Sequence, residues 1–263
     1  MSVSMTNIWQ QSIAFARRES TLLIPLSLST LAMGQAGMMV ATAIQRQAPM
    51  GGGVWLVFLL SYFLVLVGQM SIAALVLKPG TSVAEAINLA VRRSPKALAA
   101  LVLTALVLIL ALIPCVTLMA QNGLDLTNPN AQLTPSDLLY VVPVLALAFW
   151  INVRLYIIHA FFVSENGTVF DAIRAAFMQS KGHVLPLLGV VGAFVLSSQI
   201  LQMVVGMIVA AIFSIFSGSA GIDFGVAVMV ALGAGMASAF PAMLSAIFAA
   251  IFFRTVNDEI ARG

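Results

Sequence analysis

Six long apolar runs alternate with short polar segments along the chain, at about 21–44, 54–77, 97–120, 138–163, 184–216 and 224–253. Roughly 30 Å of bilayer hydrocarbon needs about 20 residues at 1.5 Å rise each, so each run is long enough to span. The runs are unbroken rather than alternating in polarity, which argues against the strands of a membrane barrel. The pattern predicts six transmembrane helices.

The polar segments have a pattern of their own. The stretch "TSVAEAINLAVRRSPKALAALVL", residues 81–103, is matched by "GTVFDAIRAAFMQSKGHVLPLLG", residues 167–189. A shift of 86 pairs Val83 with Val169, Glu85 with Asp171, Ala86 with Ala172, Ile87 with Ile173, Ala90 with Ala176 and Ser94 with Ser180. A fainter copy opens the chain, with Asn7 and Gln10 where Ser82 and Glu85 stand. Each copy starts like a helix N-terminus. Ser82 with Glu85 is a capping box, Thr168 with Asp171 approximates one, and Asn7 with Gln10 is a weaker version. Helical spacing then places Val83, Ile87, Ala90 and Val91 on one face, and Val169, Ile173, Ala176 and Phe177 on another. The opposite faces carry Asn88 and Arg92, or Arg174 and Lys181. Each helix is too short to span and is expected at the membrane interface. Its basic residues Arg92, Arg93, Lys96, Arg174 and Lys181 would face lipid phosphates, or the helix is an ordinary connector packed on the bundle.

The expected fold is therefore an all-α polytopic membrane protein: six transmembrane helices in three repeated hairpins, with amphipathic helices on the cytoplasmic face. It forms one integral membrane domain, 1–263, with repeat units at about 6–80, 81–166 and 167–257.

Composition agrees, since 61% of residues are hydrophobic and 8% charged. Soluble domains carry roughly 25% charged residues, too many for this chain to match. The first 20 residues lack the pattern of a cleaved leader, so the first run is expected to remain as a span. The single Cys115 excludes an intrachain disulfide. Basic residues gather at the termini and in the second and fourth loops, while Arg46, Asp125, Asp137 and Asp223 fall on the other side. The positive-inside rule then places both termini in the cytoplasm. The net charge of +3 is an asymmetry of the inner face and no argument for nucleic acid.

The segments 81–103 and 167–189, each following a span, resemble the membrane domain of glycerophosphoryl diester phosphodiesterases and related bacterial multipass families. Residues 154–189 carry most of the resemblance. It implies a six-span unit of the bacterial inner membrane, fused to a catalytic barrel in some relatives. The catalytic barrel's His-Arg-Gly opening and acidic metal ligands do not occur here, where His159 and His183 are the only histidines. The activity does not carry over, and no cofactor or metal is expected.

Polar residues inside spans are costly and therefore functional suspects. Arg154 is the main one, next to Asn152 in the fourth run, about nine residues from its cytoplasmic end and thus roughly 13 Å deep in a straight helix. Two readings stand. It is a snorkelling or interhelical structural arginine, or it binds a lipid phosphate between helices. With no carboxylate in any predicted span, its partners would be the amides of Gln69, Gln199 and Gln202, backbone carbonyls, water or an anionic lipid. That lack also argues against a cation-coupled transporter. His159 reads as a packing histidine rather than a proton shuttle. Ser197, Ser198, Gln199 and Gln202 read as interhelical hydrogen-bonding groups. Gly233, Gly235, Ala237 and Ser238, with Pro241, suggest close packing and a kink in the sixth span. Asp125 and Asp137 read as solvated loop residues. There is no P-loop, metal set or nucleophile elbow.

The expectation is a non-enzyme that interacts with or organises membrane lipid. The alternatives are a membrane subunit of another protein or a homo-oligomer, and a transporter or channel for a small amphipathic solute.

Overall fold

The structure is a computed structural model describing residues 4–47, 52–121, 134–165, 167–217 and 224–262. Its helices are α1 (Met5–Arg18), α2 (Ser20–Ser27), α3 (Met33–Gln47), α4 (Gly52–Leu77), α5 (Val83–Gln121), α6 (Pro135–Arg154), α7 (Ile158–Ser164), α8 (Val169–Gln179), α9 (Val184–Ser217) and α10 (Phe224–Arg262). No strand occurs among the described residues. Six helical stretches are long and apolar enough to cross a membrane. The protein is all-α and polytopic.

Two spans are not simple rods. The first joins α2 to α3 through a π-helical turn at Leu28–Ala32. Around it the hydroxyls of Ser27, Ser29 and Thr30 donate to the carbonyls of Ile24 and Leu26 at 2.6–3.1 Å, which competes with the regular ladder. The fourth span, expected as one helix over 138–163, is broken between α6 and α7 at residues 155–157.

Spans one, two and six form the packed centre, and the windows defining them are 44%, 50% and 61% buried; for the third span the figure is 6%. Lipid tails are as apolar as leucine, so helices associate here through close van der Waals contact, which small residues permit. A Cβ on Gly235 of α10 would stand 2.7 Å from the Ala36 backbone nitrogen, and one on Gly34 2.7 Å from the Ser61 carbonyl. These glycines let α3 meet α10 and α4 backbone to backbone. By contrast Leu106, Ile109, Leu110 and Ile113 of α5 are all exposed, as suits a helix wetted by lipid.

Several local expectations change. The first copy is capped by Ser4, whose Oγ accepts from the Asn7 N–H at 3.4 Å, and not by Asn7. The Asn7 side chain instead accepts from Gln11 at 3.2 Å. The second copy is no separate interfacial helix: α5 runs without interruption from Val83 to Gln121. Its inward face is the stripe Ala86, Ala90, Ser94 and Ala97, while Val91 points outward, 43% exposed. Asp137 is 2% exposed and accepts from the Thr134 N–H and hydroxyl at 2.7 and 2.6 Å, so it caps α6 rather than lying solvated. Asp125 and Asp223 lie outside the described residues.

One end of the bundle, called here the basic end, gathers α1, the turn before α5, the end of α7, α8 and the C-terminal part of α10.

Candidate functional site

The break between α6 and α7 has an anchor on each side of it. Arg154, the last residue of α6, reaches α8: one terminal nitrogen donates to the Phe177 carbonyl and to Ser180 Oγ, both at 3.1 Å. Its guanidinium lies against the rings of Trp150 and Phe177, 5.2 and 5.7 Å from their centroids. Tyr156 turns to α10 and donates to the Ser245 carbonyl at 2.7 Å, with Ser245 Oγ at 2.9 Å. Between them the backbone closes with short turns, Tyr156 N–H to the Val153 carbonyl at 3.4 Å and Ile158 N–H to the Leu155 carbonyl at 2.9 Å.

Beside the break is a cavity of about 520 Å³ bounded by α4, α5, α6, α7, α9 and α10. Its polar lining is Tyr62, Gln69, Thr104, Asn152, Tyr156, His159 and Ser245. Its apolar walls include Ala73, Ala100, Leu101, Leu108, Phe149, Val191 and Val195. Some of the polar groups are satisfied locally. Thr104 donates to the Ala100 carbonyl at 2.8 Å and the Asn152 amide to the Ala148 carbonyl at 2.9 Å. Others are not. His159 Nδ1 is buried without a hydrogen-bond partner, and the half-buried side chains of Gln69 and Tyr62 make no hydrogen bond among the described residues. A polar group left unpaired at membrane depth costs on the order of kilocalories, and the buried Nδ1 of His159 makes this cavity the candidate site.

The expected site residues separate. Gln69 and Asn152 line the cavity with His159. Arg154 does not join them, because its bonds go to the C-terminal end of α8. There a cation meets exposed carbonyls and the negative end of the helix dipole, and the flanking rings add cation–π attraction. Gln199 is exposed on α9, and Gln202 donates to Ser198 of the same helix at 3.3 Å. The glutamines are thus not the partners of Arg154. Arg154 is also not in the middle of a straight helix, since it ends α6 where the fourth span breaks, beside the short helix α8.

The basic residues of the second copy also divide. Arg93 donates to the Phe162 carbonyl and, at 2.6 Å, to that of Glu165. Lys96 donates to the Gly167 carbonyl at 3.3 Å. Arg93 therefore closes the C-terminal end of α7, and Lys96, itself exposed, bonds the backbone just before α8. Arg92, Arg174 and Lys181 are exposed. Beside Arg174, the Asp171 carboxyl is held below its ordinary range, first by the Thr168 hydroxyl and N–H that donate to it and then by the Arg174 charge.

Tyr62, Thr104, Tyr156 and Ser245 were not singled out in the sequence. A tyrosine two residues from Arg154 was a signal, but its partner stands 89 residues away. Among the described residues no three of His, Cys, Asp and Glu come together as a metal site would need.

A larger hollow of about 730 Å³ opens at the basic end between α1, the 79–81 turn and Arg254. Arg18 within it is already paired with Glu19 at 2.9 Å. The smaller cavity is the stronger candidate because its unpaired groups lie within spans. Comparison of the chain with family models, with curated proteins and with solved structures gives no match.

Proposed function

We propose that this protein binds a membrane amphiphile, taking its polar end into the cavity beside the fourth-span break. The single observation that carries this reading is a hollow of about 520 Å³, within the usual range of ligand sites, lined inside the spans by Gln69, Tyr62 and the buried, unpartnered Nδ1 of His159. The apolar remainder of such a molecule would lie along α5 and α9, whose side chains Leu106, Val195 and Leu196 are exposed. The resemblance of 154–189 to membrane domains of lipid-related enzymes points the same way. So does the basic end, which by the positive-inside rule would face the cytoplasm of a bacterial inner membrane. The cavity residues include no carboxylate, lysine or arginine, which favours binding over acid–base chemistry.

One observation favours a second reading. Broken spans beside a central cavity are a recurring device of transporters, and the α6–α7 break supports movement of the bound amphiphile as the alternative.

Native mass spectrometry of the detergent-purified protein tests the first reading. Wild type should retain lipid, Gln69→Leu should lose most of it, and Arg92→Gln should keep it. Lipid retained equally by all three would place it elsewhere and end the proposal.

A further inference from the structure

We infer that the polar end received in this cavity is uncharged and hydroxyl-bearing, as in a diacylglycerol, rather than a phosphate. The inference rests on the reading of the cavity as an amphiphile site and narrows its ligand class.

The lining carries no formal charge of either sign: its polar members are amides, hydroxyls and one imidazole. The cations nearest in the chain are committed elsewhere. Arg154 donates at the end of α8, Arg93 at the end of α7, and Lys96 to the Gly167 carbonyl before α8. A phosphate moved into such a lining would lose its water and find no counter-charge, which strongly disfavours the charged form. A hydroxyl needs none.

The unpaired groups also match a hydroxyl in kind. Gln69 offers both an amide donor and a carbonyl acceptor. Asn152 spends one amide N–H on the Ala148 carbonyl, which leaves its second N–H to donate and its side-chain oxygen to accept. His159 Nδ1 and the Tyr62 hydroxyl complete a mixed set. A hydroxyl donates once and accepts twice, so it can meet both kinds at once. A carboxylate or a fully ionised phosphate only accepts, and an ammonium only donates.

The probes are dioleoylglycerol and dioleoylphosphatidic acid, which differ by the phosphate alone, offered in equal amounts to the delipidated full-length protein. Native mass spectrometry reads the adducts. The expected result for wild type is at least about a tenfold excess of the dioleoylglycerol adduct. Gln69→Leu should remove that excess, and Gln69→Lys, which adds a cation to the lining, should reverse the preference toward phosphatidic acid. Phosphatidic acid binding as well as dioleoylglycerol in wild type, and lost in Gln69→Leu, would overturn the uncharged head group while leaving the amphiphile site standing. Adducts indifferent to every Gln69 substitution would overturn both. The wild-type competition depends on no variant folding.

Discussion

Residues 81–103 and 167–189 start alike and end differently. In the first, the Ser82 N–H donates to Glu85 at 2.8 Å and the Glu85 N–H to Ser82 Oγ at 3.3 Å. In the second, the Thr168 N–H donates to Asp171 at 2.9 Å and the Asp171 N–H to Thr168 Oγ at 3.3 Å. The buried stripes correspond as well: Ala86, Ala90 and Ser94 in one, Ala172, Ala176 and Ser180 in the other, none more than 1% exposed. Even the last serines act alike, Ser94 donating to the Val91 carbonyl at 2.7 Å and Ser180 to that of Phe177 at 3.3 Å. Beyond that point the copies part. Pro95 has no N–H for the Val91 carbonyl, Ser94 supplies a donor, and α5 continues into its span. The third copy stops, and Gly182 takes φ +86°, a conformation other L-residues rarely hold. The Phe177 carbonyl then receives Arg154 from the fourth span. A helix that ends needs outside donors, and that need places the arginine.

The largest effect should come from removing such donors. Arg154→Ala strips two charge-assisted bonds and the Phe177 ring contact from the end of α8, with the Trp150 contact on α6 lost as well, and should cost about 2–4 kcal/mol. Arg93→Ala, at the end of α7, should cost somewhat less. Thermal unfolding in detergent measures both, and a wild-type melting curve for Arg154→Ala would refute the helix-end role. Arg154→Lys should recover only part, since an ammonium does not stack as a guanidinium does.

Next in size is the stop itself. Gly182→Ala meets no neighbouring atom, so its cost is backbone strain alone, about 1–2 kcal/mol. Ser94→Ala, which uncovers the Val91 carbonyl in the copy that continues, should cost about 0.5–1.5 kcal/mol. If both changes proved silent, the local account of why one copy breaks would fail.

The shared beginnings should respond equally. Ser82→Ala and Thr168→Ala each remove a cap of about 1 kcal/mol, and a difference well beyond that in unfolding would show that the two starts are not equivalent.

The smallest effect concerns pH. The folded state holds the Asp171 carboxyl below its ordinary value, so the carboxylate's contribution is complete at neutral pH. It declines below pH of roughly 4, the unfolded value, and vanishes as the pH falls through the lower folded value. Asp171→Asn should remove this acid dependence, read as unfolding temperature against pH.

What the chain dictates alone is what nearest neighbours decide. Six apolar runs make spans whatever surrounds them, because backbone groups in hydrocarbon must bond within the helix. The two strong capping boxes close over three residues and were legible for that reason. Thr134 and Asp137 use the same spacing, yet so short a polar stretch between spans reads equally well as loop until burial of Asp137 is known. Tertiary contact alone decided the rest. Arg154 finds its partners 23 and 26 residues on, and Tyr156 finds its own on α10, which together leave the fourth span broken where periodicity predicts none. The cavity gathers residues from Tyr62 to Ala249 on six helices, with no spacing that announces it. Periodicity records which face of a helix is apolar; which faces meet depends on small residues such as Gly34 and Gly235 letting backbones touch, and that is settled only when all the helices pack together.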